Sequence, residues 1–151
     1  MKYWLFKSEP TTFSIDDLLK SPKQTTHWDG VRNFQVRNMM RDAMNVGDLA
    51  FFYHSNCKPP GITGVVEIVK KGYPDFSAWD PSSKYFDTRS TPQKSLWYMV
   101  DVKFVKKFND IISLDSLKSF IELSDMLVVR RGNRLSITPV EKSEWDFILS
   151  L

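Results

Sequence analysis

Residues 48–55, DLAFFYHS, form an almost unbroken apolar run with three consecutive aromatic side chains. A strand with one face in water alternates apolar and polar residues, because successive side chains point to opposite faces. A run without this alternation predicts a strand that is buried on both faces or that crosses a closed barrel. The rest of the chain therefore has to supply the elements that cover it.

Further strand and helix patterns surround this run. The strand patterns are Lys2–Phe6, Ile62–Lys71, Ser95–Phe108 and Arg134–Val140. The helix patterns are residues 13–20 with a Ser14–Asp17 capping box, about three turns after Gly30 ending at Gly47, Leu114–Glu122, Ser124–Arg131, and 141–151. The sequence contains no repeat and no linker. It predicts one α+β domain over residues 1–151, a small mixed β-barrel flanked by short helices.

Charge and cysteine content narrow the class of partner. The net charge of +3 suits a ligand with a few phosphates better than a long wrapped duplex. One cysteine, Cys57, permits no internal disulfide and suggests a reducing compartment. The N-terminus lacks a signal-peptide pattern, and no apolar run is long enough to span a bilayer. We expect a monomer in the cytoplasm, or in the nucleus of a eukaryotic host.

The segment WDGVRN, residues 28–33, combines an aromatic ring, a carboxylate, a glycine turn and a guanidinium group. Asp29 and Asn33 could simply organise the turn and cap the next helix, which is the commonest use of such residues. Arg37 and Arg41 continue along one side of that helix and are candidate phosphate-binding groups. The mixture favours a ligand with a flat ring, polar edges and phosphate.

Three other segments can contribute to the same site. Lys7-Ser8-Glu9 and Tyr53-His54-Ser55 lie at predicted strand ends, which can converge on a barrel mouth. The loop from Tyr73 to Lys94 carries several aromatic side chains, and a long loop in a compact domain is more often functional than not. The alternative is structural: the polar residues shape turns, and His54 is a satisfied core histidine.

Catalysis and metal binding are not indicated. His54 and Ser55 are adjacent on one strand, so their side chains point to opposite faces and cannot exchange a proton. The Gly-x-Ser-x-Gly nucleophile elbow and a glycine-rich phosphate loop are both missing. Two histidines and one cysteine do not assemble the usual zinc sites. We expect no cofactor and no metal.

A series of ordered blocks resembles a known family. The blocks are YWLFKSEP, FSIDDL, WDGVRN-x-x-x-RN-x-MR, GDLAFFYHSN, PGI-x-G, YPD, VDVKF, RLS-x-x-PV and EW-x-x-IL. Together they resemble the EVE domain family over nearly the whole chain. The resemblance implies a PUA-like barrel, related to the YTH and ASCH domains, that reads a modified cytosine or adenine in DNA or RNA. One departure is Phe34, which stands where a tyrosine is expected.

The resemblance also implies roles for individual residues. Trp28 is expected to form a wall of an aromatic-lined pocket, with Lys7, Ser8, Glu9, Asp29 and Gly30 at the base edge. Arg32, Asn33, Tyr53, His54 and Ser55 are expected at the mouth, and Trp79 or Tyr85 to close it from the loop. The alternatives are an RNA-binding accessory domain that follows single-stranded backbone without reading a modification, and a small-molecule enzyme.

Overall fold

The computed structural model describes all residues, 1–151. Six strands run over Tyr3–Ser8 (β1), Thr25–His27 (β2), Leu49–His54 (β3), Gly61–Pro74 (β4), Tyr98–Ser113 (β5) and Ile137–Val140 (β6). Four α-helices run over Ile15–Lys20 (α1), Phe34–Asn38 (α2), Leu114–Lys118 (α3) and Lys142–Leu149 (α4). Short 3-10 turns lie at Pro22–Gln24, Phe76–Trp79 and Ile121–Leu123, and a π-helical turn at Met39–Ala43 extends α2. None of these helices is both long and apolar enough to cross a membrane.

All six strands form one mixed sheet with the order β2-β5-β4-β3-β1-β6. β1 pairs with β3 in parallel, and the other pairs are antiparallel. β4 and β5 are the longest strands, and four register shifts interrupt their pairing. Such irregularities bend a sheet strongly. The α+β expectation is confirmed, but the barrel is corrected: β2 and β6 remain separate edges, so the sheet does not close.

The sheet is covered on both faces, which explains the apolar run in β3. Phe52 belongs to a core cluster shared with Ile15 of α1 and Val36 of α2. Phe51 belongs to a second cluster shared with Leu117 of α3 and Trp145 of α4. Neighbouring residues of β3 thus enter different cores, and the prediction of a strand buried on both faces is confirmed.

Local signals predicted some boundaries and missed others. The Ser14–Asp17 capping box of α1 is confirmed, with both of its hydrogen bonds formed. Gly47 does not end the second helix, because the π-helical turn stops at Ala43 and Gly47 lies in the following turn. Residues 124–131 form turns rather than the predicted helix. β2 was missed because it has only three residues.

Candidate functional site

A cavity of about 540 Å³ opens beside the C-terminal end of β2 and the turn that follows it, on the α1–α2 face of the sheet. Its volume lies within the range of pockets that hold small ligands. Eight of the expected site residues line it: Lys7, Ser8, Glu9, Trp28, Asp29, Gly30, Arg32 and Tyr85. Residues that were not expected also line it, among them Phe13, His27, Lys84 and Ser136.

The Trp28 indole forms a wall of the cavity and is itself held by other rings. It meets Phe6 and Phe52 edge-to-face, with ring centroids 5.1 and 5.6 Å away. Phe13 approaches it at 6.5 Å and also lines the cavity. Edge-to-face contacts fix ring orientation as well as burying area. The half-buried indole is therefore rigidly placed, with one part in the core and one part facing the open volume.

The turn after Trp28 is built on a buried carboxylate that sequence analysis did not single out. The Asp75 side chain is completely buried and accepts hydrogen bonds from the Gly30 amide at 2.9 Å and from Arg32 Nη1 at 3.0 Å. Its other oxygen accepts from the Ser77 amide at 2.9 Å. Asp75 therefore joins the Trp28–Arg32 turn to the aromatic loop across more than forty residues of sequence.

Tyr85 closes the cavity from the loop. Its ring lies so close to Gly30 that a Cβ on the glycine would be 2.5 Å from Tyr85 Cζ. Gly30 has φ +81°, a conformation that favours glycine. Arg32 fixes the loop by donating to the Tyr85 carbonyl from Nε at 3.2 Å and from Nη2 at 2.7 Å. Trp79 and Tyr85 were the two loop residues expected to close the pocket. Tyr85 lines the cavity, whereas Trp79 does not.

Three charged side chains of the cavity, Lys7, Asp29 and Lys84, form no hydrogen bond with another residue, and of these Lys7 and Asp29 are partly buried. Burial lowers the pKa of the Lys7 ammonium group. Burial, and secondarily the nearby Asp75 carboxylate, raises the pKa of the Asp29 carboxyl. A donor and an acceptor thus face the same volume, and a ligand with polar edges can satisfy both.

Ser8 and Glu9 are partly occupied by contacts within the protein. The Ser8 hydroxyl donates to the Phe13 carbonyl at 2.5 Å, which holds the segment after β1 against the strand end. Glu9 Oε1 accepts from Asn56 Nδ2 at 3.2 Å. Each oxygen can accept a further hydrogen bond, because hydroxyl and carboxylate oxygens have more than one lone pair. No cluster of three or more His, Cys, Asp or Glu side chains with metal-site geometry is present.

Comparison with known proteins identifies the family. The model of the EVE domain matches residues 2–151. The chain belongs to the EVE domain family. It is 46% identical to human thymocyte nuclear protein 1 over 166 aligned residues, which cover 99% of this chain and 73% of the relative.

Solved structures of EVE relatives share this fold. A crystal structure of a Pseudomonas syringae protein matches with a TM-score of 0.92 at 46% identity, covering 98% of this chain and 97% of the other. Human thymocyte nuclear protein 1, in complex with DNA containing 5-methylcytosine, matches with a TM-score of 0.92 at 44% identity. That comparison covers 99% of this chain and 96% of the human one. The fold is thus the PUA-like fold of EVE domains.

Four of the residues expected at the mouth of this EVE domain lie elsewhere. Tyr53 is buried in the cluster on the opposite face of the sheet, where burial raises its pKa to about 12. His54 Nε2 accepts from the Ile15 amide at 3.1 Å, which makes it a structural partner of α1. Asn33 caps α2 by accepting from the Val36 amide at 3.0 Å. Ser55 follows the end of β3, where its amide donates to the Ser8 carbonyl. These four side chains do not line the cavity, and their expected role in binding stays a prediction.

Arg37 and Arg41 also lie outside the cavity of the EVE domain, on the helix that leads away from it. Arg37 Nη1 donates to the Leu96 carbonyl at 2.6 Å, and its guanidinium lies 4.8 Å from the Phe34 ring centroid. Arg41 pairs with its neighbour Asp42 at 2.8 Å and is more open to solvent. Their expected role in phosphate binding stays a prediction.

Proposed function

We propose that this EVE domain is a non-catalytic DNA-binding module that reads a modified base, in the first place a modified cytosine, in its main cavity. The observation that carries the proposal is a cavity with an indole wall and two partly buried charged groups, Lys7 and Asp29, that form no hydrogen bond with another residue. The human relative solved with DNA containing 5-methylcytosine, at 44% identity, supports the choice of ligand.

The polar groups of the cavity suit the edge of cytosine. Cytosine presents an exocyclic amino donor beside a ring nitrogen and a carbonyl oxygen that accept hydrogen bonds. Asp29 can accept from the amino group, and Lys7 can donate to an acceptor of the same base. A base held this way must leave its stack, as in enzymes and readers that extract a nucleotide from DNA.

Discrimination for the methyl group has to come from packing. Burying one methyl contributes roughly 0.8 kcal/mol, which changes affinity only about fourfold. Stacking on an aromatic side chain contributes about 1–3 kcal/mol per base for any base. The Trp28 and Phe13 rings therefore supply most of the affinity, and the fit of the methyl group against them supplies the preference.

The test is a titration of single-stranded and duplex oligonucleotides that carry one central cytosine, 5-methylcytosine or 5-hydroxymethylcytosine. We expect wild type to prefer a modified base, and Trp28→Ala to lose on the order of tenfold or more in affinity. Trp79→Ala is the matched control, since it removes the same side chain outside the cavity. Melting curves establish that both variants fold.

Other outcomes of this titration distinguish the alternative functions and ligands of the domain. Equal affinity for modified and unmodified strands, with steep salt dependence, would favour a module that follows single-stranded backbone. Preference for modified adenine or for RNA would keep the cavity and change the ligand. The expected location in the cytoplasm, or in the nucleus of a eukaryotic host, and the monomeric state stay predictions.

A further inference from the structure

A second cavity, of about 570 Å³, adjoins the main one. Arg32, Lys84 and Tyr85 line both, so the Tyr85 side chain and the loop around it form the partition. We call it the outer cavity; its remaining wall comes from Phe34, Trp97 and the loop segment 86–89. Two compartments separated by one side chain are close enough to receive two consecutive groups of the same ligand.

The outer cavity carries an aromatic platform that the core does not use. Phe34 is 47% exposed although it stacks on the buried Trp97, with centroids 4.6 Å apart and planes 22° apart. Trp97 is held in turn by its indole N–H, which donates to Asp87 at 2.8 Å. Phe86, on the loop, is 42% exposed. The Phe34 ring is thus supported by Trp97 and flanked by the Arg37 guanidinium, 4.8 Å from its centroid, while almost half of its surface stays open to solvent.

The charge of the outer cavity is complementary to phosphate. Its lining contains the cations Arg32, Lys84 and Arg89 and one carboxylate, Asp87. Arg89 donates to Asp87 from Nε and Nη2, and with Trp97 it keeps the pKa of that carboxyl well below its usual range. Lys84 is exposed and has no carboxylate partner. A cationic rim beside an open ring is the arrangement that binds a base together with its phosphate.

We propose that the outer cavity binds the nucleotide next to the modified base, with its base stacked on Phe34 and its phosphate held by Lys84 and Arg89. This inference rests on the proposed function of the main cavity. It makes Tyr85 the divider between two consecutive nucleotides, and it gives the exposed Phe34 and Phe86 rings a role that packing does not supply.

An abasic scan tests the proposal. Single-stranded oligonucleotides with one 5-methylcytosine carry an abasic site at the 5′ neighbour, at the 3′ neighbour or four nucleotides away. We expect wild type to lose roughly fivefold or more in affinity when one immediate neighbour is abasic, and to be indifferent to the distant site. We call this loss of affinity the neighbour penalty. In Phe34→Ala the complete oligonucleotide should bind about as weakly as the abasic one binds wild type. The neighbour penalty should therefore disappear in this variant.

Two companion variants separate stacking from volume. Phe34→Leu keeps an apolar side chain of similar size without a ring and should behave like Phe34→Ala. Phe34→Tyr keeps the ring and should behave like wild type. If Phe34→Ala does not fold, Phe86→Ala removes the loop ring of the same cavity and should reduce the same penalty.

The proposal is overturned if no neighbour penalty exists, or if the penalty is unchanged in the Phe34 and Phe86 variants. In either case a preference for methylated over unmethylated oligonucleotides would remain, so the main cavity would keep its proposed role. Loss of that preference in wild type would instead contradict the proposed function itself.

Discussion

Arg32 Nη1 lies 3.0 Å from Asp75 Oδ2, and the Asp75 side chain is fully buried whereas that of Arg32 keeps 23% of its surface exposed. The same guanidinium donates to the Tyr85 carbonyl. One ion pair therefore fixes both the turn that carries Trp28 and the loop that carries Tyr85. Because these segments are two walls of the main cavity, its shape depends on this pair.

Asp75→Ala should destabilise the protein through this ion pair. The substitution leaves a partly buried guanidinium without its carboxylate and the Gly30 amide without an acceptor. We expect the free energy of unfolding to fall by about 3 kcal/mol, near the lower end for broken buried pairs because Arg32 still reaches water. Urea denaturation measures it. Asp42→Ala removes an exposed pair with Arg41 and should cost less than about 1 kcal/mol, so equal losses would contradict the argument.

Gly30→Ala should separate steric closure of the cavity from backbone strain. The new Cβ would lie 2.5 Å from Tyr85 Cζ, so the ring must move away from the turn. Gly47→Ala is the matched control, since Gly47 has a similar φ of +95° and open space around a Cβ. Both variants should lose about 1 kcal/mol of stability from the positive φ. Only Gly30→Ala should also weaken binding of methylated DNA. Equal affinities in the two variants would show that the position of Tyr85 does not matter for DNA binding.

Part of this architecture can be predicted from the sequence because the signals are local. The apolar run of β3, the capping box of α1 and the turn at Gly30 each depend on neighbouring residues, and each is present. The long strands β4 and β5 were predicted, but both continue beyond their predicted C-terminal ends, to Pro74 and Ser113. Their ends carry polar residues that a periodicity argument assigns to loops.

The contacts that complete the cavity are long-range, and no local pattern encodes them. Asp75 follows a strand and lies two residues before a serine, which indicates only a turn or cap. Its partner Gly30 is 45 residues away. Tyr53 and His54 were assigned to the mouth because they lie at a strand end. The two faces of the sheet place Tyr53 in one core and turn His54 toward α1.

Asp29→Asn should raise stability at neutral pH while lowering affinity. Burial raises the pKa of Asp29 above the ordinary aspartate value of about 3.9, so the folded protein binds this proton more tightly than the unfolded chain. The contribution of this group to stability therefore falls as the pH rises through its folded pKa. The variant should melt higher than wild type at pH 7, and the difference should shrink as the pH falls toward 3.9. A pH-independent difference would contradict this origin.

The same substitution should weaken DNA binding, because a neutral amide accepts a hydrogen bond less strongly than a carboxylate. A loss on the order of fivefold for the 5-methylcytosine oligonucleotide is expected. Asp110→Asn, an exposed substitution on β5, is the control and should change neither stability nor affinity. Higher stability with unchanged affinity would place Asp29 outside the contact with the base.

His54→Ala should affect stability and leave affinity unchanged. His54 accepts a hydrogen bond from the Ile15 amide through Nε2, which requires that nitrogen to be unprotonated. Burial lowers its pKa, so its contribution is complete above the ordinary value of about 6.5 and is lost as the pH falls through the lower folded pKa. Urea midpoints should differ most between wild type and variant above the ordinary pKa of about 6.5 and converge as the pH falls through the lower folded pKa. A loss of DNA affinity in the folded variant would contradict this and show that His54 contributes to DNA binding.

Arg41→Gln should change the salt dependence of binding without changing the preference for the mark. Of the two arginines expected to bind phosphate, Arg41 is the better test, because Arg37 already donates to a backbone carbonyl. Losing one phosphate contact lowers the magnitude of the slope of log K against log salt by about 0.7 for single strands and about 0.9 for duplex. Arg130→Gln is the control, since this exposed arginine lies in the turns that cover the opposite core. Phosphate contacts carry no sequence information, so methylated and unmethylated oligonucleotides should weaken by the same factor. If the slope stays unchanged, or if both arginines lower it equally, the helix after the Trp28–Arg32 turn does not follow the DNA backbone.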